Sequence, residues 1–224
     1  MVLTIRSLLI SLMVLGGSAP GYAGAWLQEK GRGFLSATTT GYRPGATVEY
    51  RSAIYAEYGL MSRLTLGIDV NDRAANSGHA LAFARLPLSP SEWQNRFAIE
   101  LGTGAHHTLG RTAAMHKITL SYGRNLVSGL GPGWIAADTA LEYRTGLNQK
   151  IRKFDLTMGL SADRRVNPLL QIETAHVRGG DLYWTLTPAL LIRGKKGRRW
   201  LIGLERRSAH PEGFGLKFGF WRNF

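Results

Sequence analysis

The stretch Phe214-Gly215-Leu216-Lys217-Phe218-Gly219-Phe220-Trp221-Arg222-Asn223-Phe224 has a period of two. Every second residue from its end reads Phe224, Arg222, Phe220, Phe218, Leu216 and Phe214, and five of these six are large and apolar. The interleaved set is Gly215, Lys217, Gly219, Trp221 and Asn223, mostly small or polar. Period two is the signature of a strand whose two faces meet different surroundings. A soluble sandwich would bury the greasy face against a second sheet. A membrane barrel would turn it to lipid and send Gly, Lys and Asn inward.

The same alternation recurs back along the chain, in runs broken by turn residues. The spacing predicts strands over 33–42, 47–58, 64–71, 80–86, 96–104, 117–125, 134–144, 154–162, 169–175, 182–193, 200–207 and 214–224. Leu64, Leu66, Ile68 and Val70 oppose Thr65, Gly67, Asp69 and Asn71, and Phe154, Leu156, Met158 and Leu160 oppose Asp155, Thr157, Gly159 and Ser161. The expected fold is therefore all-β, an antiparallel transmembrane β-barrel of about 12 strands, with 10 as the alternative because 80–86 is the least regular run. Glu49, Glu57, Asp69, Glu100, Asp138, Glu142, Asp155, Glu173 and Glu205 fall opposite the apolar faces, as do Arg51, Lys117, Arg144, Arg207 and Lys217. All except Glu57 are carried forward as candidates for lining a charged lumen. Trp134, Trp184, Trp200 and Tyr122 or Tyr143 sit near strand ends, where an interfacial aromatic girdle is expected.

The chain's start supplies an address. Arg6 precedes the apolar run 8–15, too short to span a membrane as a helix, and small residues follow with Gly21 and Ala23 at −3 and −1. This pattern predicts a secretory signal peptide over 1–23, cleaved after Ala23 (after Ala25 as second choice), and a barrel domain over 24–224. The absence of Cys excludes disulfides, thiolate ligands and a lipoprotein anchor. The net charge of +13 calls for an anionic neighbour, and export makes that neighbour lipid phosphate rather than nucleic acid.

With alternation, a leader and a terminal Phe in place, the chain resembles bacterial outer-membrane β-barrel proteins. Phe214, Leu216, Phe218, Phe220 and Phe224 match the family's C-terminal aromatic assembly signal, from which Arg222 departs. The opening Ala25-Trp26-Leu27-Gln28-Glu29-Lys30-Gly31-Arg32-Gly33 resembles that of small proteobacterial envelope proteins described as outer-membrane or transporter-like. The resemblance implies residence in the outer membrane of a Gram-negative bacterium. It also implies contact with outer-membrane lipids and lipopolysaccharide, and biogenesis through periplasmic chaperones and the barrel-assembly machinery. The expected role is a narrow passive pore or transporter-like barrel for small solutes. A closed structural barrel and a lipid or lipopolysaccharide hydrolase are the alternatives. No cofactor and no catalytic residue is implied.

If the first strand runs outward, the outer loops lie near 43–46, 72–79, 105–116, 145–153, 176–181 and 208–212. All six histidines then fall in or beside them, with His106, His107 and His116 as the speculative metal ligands. An outer-membrane phospholipase would present His and then Ser two positions on, and no His here is followed by a Ser at that position. Gly129-Leu130-Gly131-Pro132-Gly133 lacks the GK[ST] ending of a phosphate cradle and reads as a turn. Arg193, Lys195, Lys196, Arg198 and Arg199 read as a solvated basic turn, and Lys150, Arg152 and Lys153 as a basic outer rim.

Overall fold

The computed structural model describes residues 24–74, 76–147 and 149–224, so the predicted leader over 1–23 lies outside the described residues. Twelve antiparallel strands close on themselves. In order they are β1 (Gly33–Arg43), β2 (Glu49–Met61), β3 (Leu64–Arg73), β4 (Ser77–Pro87), β5 (Asn95–Thr108), β6 (Arg111–Ser128), β7 (Gly131–Arg144), β8 (Gln149–Leu160), β9 (Val166–Val177), β10 (Leu182–Arg193), β11 (Arg198–Arg207) and β12 (Phe214–Asn223). Each strand pairs with its sequence neighbours, and β1 pairs with β12 to complete the ring. Closure removes both sheet edges, so the ladder satisfies its own backbone groups, as a structure immersed in lipid must. At the seam the start of β1 and the end of β12 are tied together: the Gly33 amide donates to the Phe224 carbonyl at 2.7 Å, and the Phe224 amide donates back at 2.9 Å.

The pleat then decides what faces outward. Along β12, Phe214, Leu216 and Phe218 are exposed, while Gly215, Lys217, Gly219 and Trp221 are buried. On β11 the exposed set is Trp200, Ile202 and Leu204, and the buried set includes Leu201, Glu205 and Arg207. The outer wall is a belt of exposed Leu, Ile, Phe, Tyr and Trp reaching round the barrel, Tyr50, Ile68, Leu101, Leu120, Leu141, Phe154 and Leu190 among them. A soluble protein does not expose contiguous apolar surface on this scale, whereas a bilayer solvates it. This is the fold of a transmembrane barrel whose outer surface meets lipid.

Three sequence expectations need correction. Trp134 is not a girdle residue: it points inward, only 4% exposed, while Trp184 and Trp200 do face out. The outer connections are tighter than expected. Strands β3 to β6 run on, so that of 72–79 only residues 74–76 lie outside strands and of 105–116 only residues 109 and 110 do. Strand pairing needs no apolar alternation once it leaves the hydrocarbon, so the pattern stops before the strand does. Lys153 is not at a basic rim either; it turns inward to within 3.5 Å of Glu142.

Candidate functional site

The inner wall is a ring of paired charges. Arg85 on β4 is central to one half: it donates to Glu57 Oε2 and to Glu100 Oε2, each at 2.7 Å, and is 3% exposed. The Tyr55 hydroxyl also donates to Glu57 Oε2 at 2.8 Å, so one carboxylate oxygen gathers two donors. Lys117 on β6 continues the chain, 2.7 Å from Asp69 and 3.5 Å from Glu100. Across the barrel Arg51 bridges Glu205 at 3.0 Å and Glu173 at 3.3 Å, and Arg207 holds Glu205 at 2.7 Å and Glu49 at 3.4 Å. Lys217 donates to Gln171 at 2.9 Å. Arg144 and Lys153 share Glu142. Such pairs persist because removing one partner strands the other's charge away from water.

All thirteen sequence candidates stand on the inner face: Glu49, Arg51, Asp69, Glu100, Lys117, Asp138, Glu142, Arg144, Asp155, Glu173, Glu205, Arg207 and Lys217. Their strand register and burial place them there. Sequence reasoning omitted Arg85, the hub of its network, because β4 carries Leu81 and Phe83 on the same inner face and so does not alternate cleanly. The three histidines are not brought together. His106 is 2% exposed inside the wall, beside His79 in register, whereas His107 bonds Asp72 and His116 bonds Thr103. Among the described residues no three metal-ligating side chains gather.

The end of the barrel where β1 begins and β12 finishes is closed differently. Phe34, Trp134, Leu169, Leu191, Leu201 and Trp221 form an apolar cluster inside it. Residues 24–32, which precede β1, fold back into this end and run across the lumen. The Gly31 amide donates to the Gly59 carbonyl at 2.9 Å. The Gln28 amide donates to Thr65 Oγ1 at 3.0 Å, and the Gln28 side chain to Glu57 at 2.6 Å. Trp26 then meets Trp134 edge to face, centroids 6.4 Å apart. Two glycines make room for this crossbar. A Cβ on Gly59 would lie 2.1 Å from the Glu29 carbonyl oxygen, and one on Gly123 would lie 2.5 Å from the Trp26 ring. Beyond Trp26 the described residues reach Gly24 against β7, which lies six strands from β1 in either direction around the ring. Nothing in the periodicity of 24–32 announced this; the unexplained glycines at 59 and 123 were the available signal.

Between crossbar and paired charges lies a cavity of about 250 Å³, lined by Arg85, Glu100, Lys117, Asp138, Lys153, Asp155 and Lys217 among others. At the far end Tyr42 is fully buried. Its hydroxyl donates to the His210 carbonyl at 2.7 Å, and the Arg207 guanidinium lies 4.2 Å from its ring centre. Tyr42→Phe is expected to destabilise the barrel by about 1 kcal/mol, the net worth of one such bond, read as a lower urea midpoint in vesicles. An unchanged midpoint would mean that the bond does not hold the 208–213 connection.

No protein-family model matches the chain, and no curated protein matches it either. Solved structures do. One is the KdgM porin, superposing with a TM-score of 0.59 at 12% identity over 85% of this chain and 99% of the other. The barrel is similar to the KdgM and NanC porins. The NanC porin gives a TM-score of 0.55 at 7% identity, covering 83% of this chain and 98% of its own. KdgM bound to disordered oligogalacturonate superposes as well as free KdgM does, at 11% identity. At such identities the likeness to these porins is one of fold: a twelve-strand closed sheet spans nearly the whole of each porin chain.

Proposed function

We propose that the protein is an outer-membrane channel of a Gram-negative bacterium, a narrow passive pore or transporter-like barrel for small solutes. One observation carries the reading: a cavity of about 250 Å³ stands open in mid-lumen among mostly charged and polar side chains, where a purely structural barrel would fill that space with side chains. Glu49, Arg51, Asp69, Glu100, Lys117, Asp138, Glu142, Arg144, Asp155, Glu173, Glu205, Arg207 and Lys217 would select solutes by charge. Likeness in fold to porins agrees with this. Phe214, Leu216, Phe218, Phe220 and Phe224 would serve as the assembly signal read by the barrel-assembly machinery. Lipopolysaccharide would meet the exposed Lys150 and Arg152 at one rim. A closed structural barrel is the second reading, favoured by the crossbar and by the apolar cluster around Trp134 and Trp221.

Planar-bilayer conductance separates the two. The refolded chain beginning at Gly24 is expected to give small, discrete, salt-dependent current steps. A chain beginning at Arg32, without the crossbar, is expected to give larger ones. Silence from both, with insertion confirmed by heat-modifiable gel migration, would reject the pore and leave the closed barrel.

A further inference from the structure

Inside the lumen, Asp138 on β7 stands directly opposite Asp155 on β8 in register. Two carboxylates in adjacent positions repel one another, and opposite like charges weaken a strand pair. Ser121 on β6 is the register partner of Asp138, yet the buried Oδ1 of Asp138 has no hydrogen-bond partner among the described residues. An unpaired buried carboxylate oxygen is costly enough to need a reason. What faces it is the last described residue of the crossbar. Gly24 is buried with φ at +90°, a conformation that favours glycine, and a Cβ there would lie 3.2 Å from Asp138 Oδ1 and 3.5 Å from Oδ2. The Gly24 nitrogen is one bond from that Cα.

We infer that Asp138 is the receptor for the chain's own new amino terminus: cleavage between Ala23 and Gly24 releases an α-ammonium that pairs with the Asp138 carboxylate and pins residues 24–32 across the lumen. In the cleavage, water adds across the Ala23–Gly24 amide. The hydroxyl goes to the Ala23 carbonyl carbon, the C–N bond breaks, and the Gly24 nitrogen leaves as an amine that takes up a proton. Before this step the nitrogen is a neutral amide joined to the leader. After it, a positive charge has appeared beside two carboxylates. Lys153 and Lys117 share the cavity, but neither makes a salt bridge to Asp138 among the described residues, where Lys117 is held by Asp69 and Glu100 and Lys153 by Glu142. The crossbar's other contacts fix its reach: Gln28 on Thr65 and Glu57, and Trp26 on Trp134, leave Gly24 at β7. The inference rests on the exported-barrel reading, and not on conduction.

The test is amine protection. Protein extracted from membranes is first weighed intact, and a mature chain beginning anywhere other than Gly24 overturns the inference. The folded protein in detergent is then acylated with an N-hydroxysuccinimide ester, and labelling of the α-amine is followed with time in the 24–32 tryptic peptide, where an acylated Lys30 is not cut and fragment masses separate the α-amine from Lys30. Acylation needs the free amine, and an ammonium paired with a carboxylate gives up its proton less readily. The α-amine is therefore expected to react about tenfold more slowly than in the same chain unfolded in urea. Asp138→Asn should abolish most of the protection and Asp138→Glu should restore part of it. Labelling as fast in the folded chain as in the unfolded one overturns the inference, as does full protection in folded Asp138→Asn. The outcome is independent of the bilayer experiment: a silent barrel with a protected amine rejects the pore and keeps the pair, and a conducting barrel with a free amine does the reverse.

Discussion

Arg85→Ala is expected to destabilise the barrel by about 3–5 kcal/mol, the cost of stranding buried charges by removing their shared partner. Arg85 holds Glu57 and Glu100 at 2.7 Å each, and none of the three is more than 4% exposed. Truncation leaves two carboxylates facing each other with a methyl group between them. Lys117 lies 3.5 Å from Glu100, but it is committed to Asp69 at 2.7 Å, so it cannot replace the guanidinium for both acids. Equilibrium urea unfolding of the refolded barrel in vesicles measures the loss. A triple variant, Arg85→Leu with Glu57→Gln and Glu100→Gln, should recover most of it, because it removes the charges together with their partner. A loss under about 1 kcal/mol for Arg85→Ala would mean that water reaches these acids and the network is not buried in solution.

The second large effect lies on the other face of the wall. Phe218 is 55% exposed at the middle of β12, between Ile202 on β11 and Thr39 on β1. A cation at the bilayer midplane costs a barrel about 2–4 kcal/mol, so Phe218→Arg is expected to lose that much and to assemble poorly. Its neighbour Lys217 is 5% exposed and bonded to Gln171, with Glu173 at 3.8 Å. Lys217→Gln keeps a polar group in a polar lumen and is expected to assemble as well as the parent. Heat-modifiable migration gives the assembled fraction and urea titration the free energy. Equal losses at the two positions would show that β12 does not present Phe218 to lipid.

That pair of residues also shows what the sequence could and could not disclose. The faces of β12 were legible because lipid and lumen demand opposite chemistry at successive positions, and Phe218 beside Lys217 satisfies both. The same logic located the lumen charges from Glu49 to Lys217. It failed at Trp134, since an inward Trp and a girdle Trp occupy similar places near a strand end, and only Trp26 docking against it distinguishes them. It failed at Arg85, where inward Leu81 and Phe83 blur the alternation. It was silent on residues 24–32, because a segment held by Gln28, Trp26 and two bare glycines has no period to read. Pairing across the lumen depends on which strands lie opposite, and that information appears only once the ring is closed.

The seam between β1 and β12 has a consequence for the order in which this molecule comes into being. Phe34 is registered with Asn223, and Gly33 exchanges hydrogen bonds with Phe224, so the ring closes its first strand on its twelfth. The ring therefore cannot close before β12 has been made. Until β12 arrives, β1 and β11 are bare strand margins, each a template for the wrong neighbour. The strands must be kept open and solvated until β12 can be delivered to β1, so a chain that lacks β12 would be trapped as an open sheet and not as a smaller barrel.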